Sequence, residues 1–143
     1  MVHPVIQSSN NSSGIDIHIP FAEYLGVRAH QQENGELEIT LALRPKHHNS
    51  WGAAHGGVIL SVLDMVMGLS AKSVDAQASG AITIELKTNF IQMVTTRLRA
   101  KAKATRMGRT LIFVEGELFN EDGELAAKAS GTFKLKYPKE KIL

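Results

Sequence analysis

The chain has 143 residues, with 16 Lys and Arg against 14 Asp and Glu, and no cysteine. That length supports a single domain able to fold with neither disulfide nor metal, and the lack of cysteine excludes disulfides, thiolate catalysis and cysteine zinc sites. A formal charge of +2, with few aromatics and none interleaved with the basic residues, excludes the stacking platform of a nucleic-acid binder.

The opening segment, "MVHPVIQSSNNSSG", has no basic region followed by an apolar core, so no signal peptide is expected. No apolar run approaches the ~20 residues of a membrane-spanning helix. The expectation is a soluble cytoplasmic protein with no membrane partner. Residues 1–18 are expected to be a mobile lead-in, 19–137 a single domain and 138–143 a tail.

Ile19–Gly26 predicts a short helix, with Pro20 early and Gly26 as its stop. Val27–Leu43 predicts a hairpin around Asn34-Gly35, with Leu37, Ile39, Leu41 and Leu43 alternating along its second arm. Pro45 ends that strand, and the loop "KHHNSWGAA" leads into a helix from roughly His55 to Ser73. That helix is apolar nearly all round and therefore needs cover nearly all round. In "AITIELKTNFIQMV", Ile82, Ile84, Leu86 and Thr88 are expected on one strand face, with Thr83, Glu85, Lys87 and Asn89 on the other. Two strands meet at Met107-Gly108-Arg109. A further turn at Asp122-Gly123 leads to a strand whose one face carries Leu125, Ala127, Ala129, Gly131, Phe133 and Leu135. The fold class is α+β: one long helix wrapped by a curved antiparallel sheet of five or six strands.

Two features of the helix bear on chemistry. A helix start presents unpaired N–H groups and partial positive charge, and Gly56 and Gly57 leave room for a ligand to approach that backbone. For a Gly-Gly pair alone, close packing is the commoner reason. His55 either faces a ligand or caps the helix. His47 and His48 lack the ligand set of a metal site, so no metal is expected. Asp64 stands among Val62, Leu63, Met65, Val66 and Met67; it is either a satisfied buried aspartate or a catalytic base or nucleophile in a low-dielectric site. Gly56 and Asp64 are eight residues apart, about 12 Å along one helix and roughly 80° around it. If both serve one reaction, Asp64 must meet the Gly56 of another chain, as a two-fold axis with antiparallel helices allows.

The spaced pattern of Asn49, His55-Gly56-Gly57 and Asp64, in "HN" followed by "HGGVILSVLDMVMG", resembles the hotdog-fold acyl-CoA thioesterases. It is most similar to the branch typified by the phenylacetic acid degradation thioesterase. "TRMGRTLIFVEGELFNEDGELAAKASGTFKL" is similar to that branch's last three strands, so the resemblance covers about Phe21 to Tyr137. It implies a homodimer whose sheets join, with active sites between subunits, and dimers that pair again into a homotetramer. It implies an acyl-CoA substrate cleaved by water, with no metal and no bound cofactor. By position, the Gly56 N–H would polarise the thioester carbonyl and Gly57 would permit close approach. Asp64 of the partner would act as general base or nucleophile. Asn49 and His55 would orient thioester or water, and Thr83 would position water.

This chain departs from the usual pattern in having Ser50-Trp51 after Asn49, and "FIQMV" where relatives often carry a basic-Pro pair. The basic stripe Arg97, Arg99, Lys101 and Lys103 either faces water or holds coenzyme A phosphates; Arg106 and Arg109, at its turn, are the better candidates for nucleotide contacts. Two other functions stay open: a non-catalytic acyl-CoA binding module, and a 3-hydroxyacyl thioester dehydratase, whose different His-acid arrangement is not found. The acyl group depends on Met65, Phe90, Met93 and loop shape.

Overall fold

A computed structural model describes residues 12–32 and 36–139. Helix α1 (Pro20–Leu25) starts on Pro20 and stops at Gly26, whose φ of 84° is the left-handed conformation glycine adopts without cost. Strands β2 (Arg28–Gln32) and β3 (Leu37–Ala42) pair antiparallel as the expected hairpin. The Asn34-Gly35 turn itself lies outside the described residues. A short 3-10 helix, Pro45–His47, follows, and α2 runs Gly56–Lys72. The remaining strands are β4 (Gly80–Phe90), β5 (Arg97–Met107), β6 (Leu111–Phe119) and β7 (Leu125–Lys136).

One strand departs from expectation. Ser12–Ile15, within the segment read as a mobile lead-in, forms β1 and pairs antiparallel with β2. The described sheet thus has seven strands in the order β1-β2-β3-β5-β6-β7-β4, one more than the upper expectation. Its single curved layer packs on α2. The core is Ile59, Val62, Leu63, Val66 and Met67 of the helix against Ile39, Leu98, Val114, Leu118 and Phe133 of the sheet. Helix and sheet approach closely at Gly116: a Cβ there would stand 2.8 Å from the Met67 sulfur and 3.2 Å from Leu63.

The expected cover all round α2 is not found. Gly57, Ser61, Asp64 and Gly68 are exposed or half-exposed. At ~100° per residue they fall in a band of roughly 60° opposite the core. A single sheet reaches only one side of a cylinder.

The alternation expected along β4 is also corrected. The β4–β7 register shifts between Thr83 and Glu85. This bulge lets Thr83 reach the helix while Leu86, further on, packs against the core. A bulge flips the face of everything beyond it. No described helix is long and apolar enough to cross a membrane.

His47 ties the loop before α2 to α1. It is 1% exposed; its Nδ1 accepts from the Arg44 N–H at 2.9 Å and its Nε2 donates to the Leu25 carbonyl at 2.9 Å. That pattern needs the neutral ring. Burial is the main force pushing its pKa below the ordinary 6.5; Lys46, Arg44 and His48 push the same way and the Leu25 hydrogen bond opposes. The unfolded chain therefore takes up this proton first. Stability is fully present above about pH 6.5 and falls as pH drops from there toward the folded value. Thermal melts across pH 5 to 8 are expected to show this acid loss in the natural protein and a flatter pH slope in His47→Gln.

Candidate active site

The site is built at the start of α2. The preceding loop is closed by the Asn49 N–H donating to the Ala53 carbonyl at 2.7 Å. The Asn49 side-chain oxygen accepts from the Trp51 N–H at 2.9 Å and the Ala53 N–H at 3.1 Å. Behind it, the His55 N–H donates to the His47 carbonyl and the Ala54 N–H to the Val94 carbonyl, both at 2.8 Å. The loop is thus held on three sides before the helix begins.

His55 is the N-cap. Its Nδ1 accepts from the Gly57 N–H at 2.8 Å, satisfying one of the orphan donors of the first turn. With Nδ1 accepting, the neutral ring carries its proton on Nε2. A Cβ at Gly57 would sit 3.1 Å from that Nδ1, so glycine keeps the cap in place. The Gly56 N–H makes no hydrogen bond among the described residues. A Cβ at Gly56 would meet only the Phe90 ring, at 3.6 Å. Phe90 therefore forms a wall beside the free N–H.

Two turns on, the Thr83 hydroxyl donates to Asp64 Oδ1 at 2.6 Å. The carboxylate is half-exposed and lies on the uncovered stripe of α2, not in the core. Asp64 and Thr83 are thus brought together, as are Asn49, His55, Gly56 and Gly57. The two groups remain separated by about two turns of helix within one chain. Of the three residues expected to shape the acyl pocket, Phe90 stands beside Gly56, Met93 is exposed and Met65 is buried.

Arg109 is elsewhere. It lines a depression of about 380 Å³ with Val74, Asp75, Met107, Lys134 and Tyr137, beside the C-terminal end of α2. That end lies about 25 Å along the axis from Gly56. The Tyr137 hydroxyl donates to Asp75 at 2.6 Å there; this bond holds the Asp75 carboxyl below and the Tyr137 hydroxyl above their ordinary pKa values. Arg106 pairs in register with Phe113, which alternates with the buried Ile112 and Val114, so both face outward. The stripe Arg97, Arg99, Lys101 and Lys103 also points away from α2, because Leu98, Ala100 and Ala102 are the buried residues of β5. Arg99 pairs with Glu38 at 3.2 Å and Lys101 stands 3.9 Å from Glu36.

The curved antiparallel sheet on one long helix is the hotdog architecture, and comparison with known proteins agrees. Residues 52–127 match the family model of the Thioesterase superfamily. A Saccharolobus solfataricus protein whose name provisionally assigns it as an esterase is 34% identical over 78% of this chain and 79% of its own length. The medium/long-chain acyl-CoA thioesterase YigI of Salmonella typhimurium is 26% identical over 81% of this chain and 85% of its own. The crystal structure of the Bacillus halodurans BH2602 protein with CoA superposes with a TM-score of 0.79 at 27% identity, covering 85% of this chain and 82% of that one. The chain belongs to the Thioesterase superfamily, whose enzymes hydrolyse thioesters.

Asn49 offers a separable test. Asn49→Ala removes the acceptor of two backbone donors, one exposed and one part-buried, and is expected to cost about 1 kcal/mol in urea unfolding. Asn49→Asp keeps the acceptor oxygen and removes only the side-chain NH₂. Its stability is expected to stay near that of the natural protein, so any loss of turnover reports a contact beyond the loop.

Proposed function

We propose that the protein is an acyl-CoA thioesterase that works as a dimer, each site joining the Gly56 of one subunit to Asp64 of the partner subunit. The observation that carries this is the pairing of an unbonded Gly56 N–H at a helix start with a Thr83-bonded Asp64 on the uncovered stripe of the same helix. The first is a donor for the thioester oxygen as it gains charge. The second is a carboxylate able to take a proton from water or to attack directly. On one chain they lie too far apart to share a carbon atom.

The sheet supplies the reason for a dimer. β4 is one of the two edge strands of the described sheet, paired only with β7, and is longer than the four-residue β1 at the other edge. Its 11 residues carry exposed Ile82, at 50%, and Ile84, at 57%. A long apolar edge is a template for another strand. Two-fold pairing there would set the α2 helices antiparallel, stripe toward stripe. With Gly56 of one chain level with Asp64 of its partner, the partner's α2 runs on for about 12 Å to the end that Arg109 flanks. An extended pantetheine arm spans such a distance, which supports Arg109 as a nucleotide contact; Arg106, facing outward on the neighbouring strand, is its weaker companion. The CoA seen with the Bacillus halodurans protein and the acyl-CoA named for YigI support the substrate class. Asn49 and His55 orient the carbonyl, Gly57 preserves the His55 cap, and Thr83 aligns Asp64. The motif spacing supports the phenylacetic acid degradation thioesterase-like branch and its tetramer of paired dimers.

Asp64→Ala is expected to lower kcat for thiol release from an acyl-CoA panel by about 10²–10⁴-fold while the melting curve is retained. Unchanged turnover would remove Asp64 from the reaction. Tight acyl-CoA binding without hydrolysis by the natural protein would favour a binding module instead.

Mixing tests the shared site. Asp64→Ala and Gly56→Val homodimers should each be inactive. Co-assembled, half of the dimers are mixed and each mixed dimer keeps one intact site, so about a quarter of natural activity should return. If both residues served one chain's site, mixing would restore nothing.

A further inference from the structure

Gly56, Leu60 and Asp64 follow one another at intervals of four along α2. Residues so spaced form one row on a helix surface. Both ends of this row meet β4: the Phe90 ring stands beside Gly56, and the Thr83 hydroxyl donates to Asp64. Leu60 lies between those ends. It is 38% exposed, and no other large apolar side chain of α2 is exposed. A single chain thus leaves a leucine in water midway between its free Gly56 N–H and its carboxylate.

Symmetry gives that position a use. In the shared-site dimer, on which this inference rests, Gly56 of one subunit is level with Asp64 of the partner subunit. A two-fold axis that pairs residue 56 with 64 also pairs residue 60 with its own copy. Leu60 and the partner subunit's Leu60 then face each other midway between the two sites. From each Gly56 that level is about 6 Å along the helix. The pantetheine arm runs the other way, outward along the partner's α2 toward the end that Arg109 flanks. A thioester carbon is trigonal, so the acyl chain leaves on the side away from the sulfur, inward toward the two leucines. Between Gly56 and Asp64 the helix carries no charged residue. A charged acyl group would be buried there without a partner, at a cost that an apolar one escapes.

We propose that Leu60, contributed by both subunits, closes the inner end of the acyl pocket and limits the length of an uncharged, apolar acyl chain. Phe90 is the wall beside the carbonyl, and the leucine pair is the floor. An acyl chain that reaches the floor covers apolar surface that the single chain exposes, which favours its binding. A longer chain has to displace leucine or meet the chain entering from the second site.

Measurements of kcat/KM for butyryl-, octanoyl- and dodecanoyl-CoA test this in the natural protein, Leu60→Ala and Leu60→Trp. Leu60→Ala deepens the pocket and is expected to raise the dodecanoyl-to-butyryl ratio by about tenfold or more; Leu60→Trp shortens it and is expected to lower the octanoyl-to-butyryl ratio by a similar factor. Each ratio compares substrates on the same molecules, so any loss of folded or paired protein cancels. Movement in the expected direction in either variant supports the assignment. Ratios that stay at the natural values, or move the opposite way, overturn it and leave the thioesterase reading standing. No hydrolysis of any of the three by the natural protein would instead remove the thioesterase reading beneath it.

Discussion

Covering an apolar helix is the demand around which the rest of this molecule is arranged. α2 presents Ile59, Val62, Leu63, Val66 and Met67 to the sheet. Burying each large apolar side chain contributes about 1.5–3 kcal/mol, so this seam dominates the stability of the domain. A one-layer sheet reaches only one side of the helix. The sequence meets the other side with Gly57, Ser61, Asp64 and Gly68, residues that are small or polar. Asp64 stays hydrated on that stripe, so a single chain carries no burial penalty for it. The penalty would arise only if something covered the stripe, as the proposed dimer would.

Much of this was legible in the sequence. The apolar run and its glycine start located α2 to within a residue at each end, because a helix apolar on most sides has few other places to go. The turns at Gly108 and Gly123 and the alternation in β3, β5, β6 and β7 located those strands. Asp64, Gly56 and Gly57 were visible as candidates because each is out of place in an apolar helix. Thr83 was visible only through a family resemblance, on an expected face that the bulge then altered.

The rest was hidden for physical reasons. Ser12–Ile15 has no apolar alternation, and becomes a strand because β2 offers an edge to pair with; tertiary pairing overrides composition. The bulge after Thr83 reverses a period-two pattern that looked regular, and nothing in the local sequence marks it. The open stripe is hard to read from the sequence because three of its four residues, Gly57, Ser61 and Gly68, are small and only Asp64 is charged, so α2 reads as more uniformly apolar than its packing is. The Phe90 ring beside Gly56 depends on where the end of β4 crosses the loop before α2, a contact set by the whole sheet.

The distribution of donors and acceptors is the most specific consequence of this arrangement. At the start of α2 the acceptor atoms are spent: Asn49 Oδ1 on two backbone N–H groups, His55 Nδ1 on Gly57. What remains there is donors: the Gly56 N–H, the Asn49 NH₂ and the Nε2–H of a neutral His55. An acceptor, the Asp64 carboxylate, stands two turns away, steadied by the Thr83 hydroxyl. Thioester hydrolysis needs donors at the carbonyl oxygen and an acceptor at the attacking water. Placed side by side on one chain, those groups would bond to each other and quench both functions. The helix keeps them apart by about 12 Å, which no side-chain motion closes, so neither consumes the other within one chain.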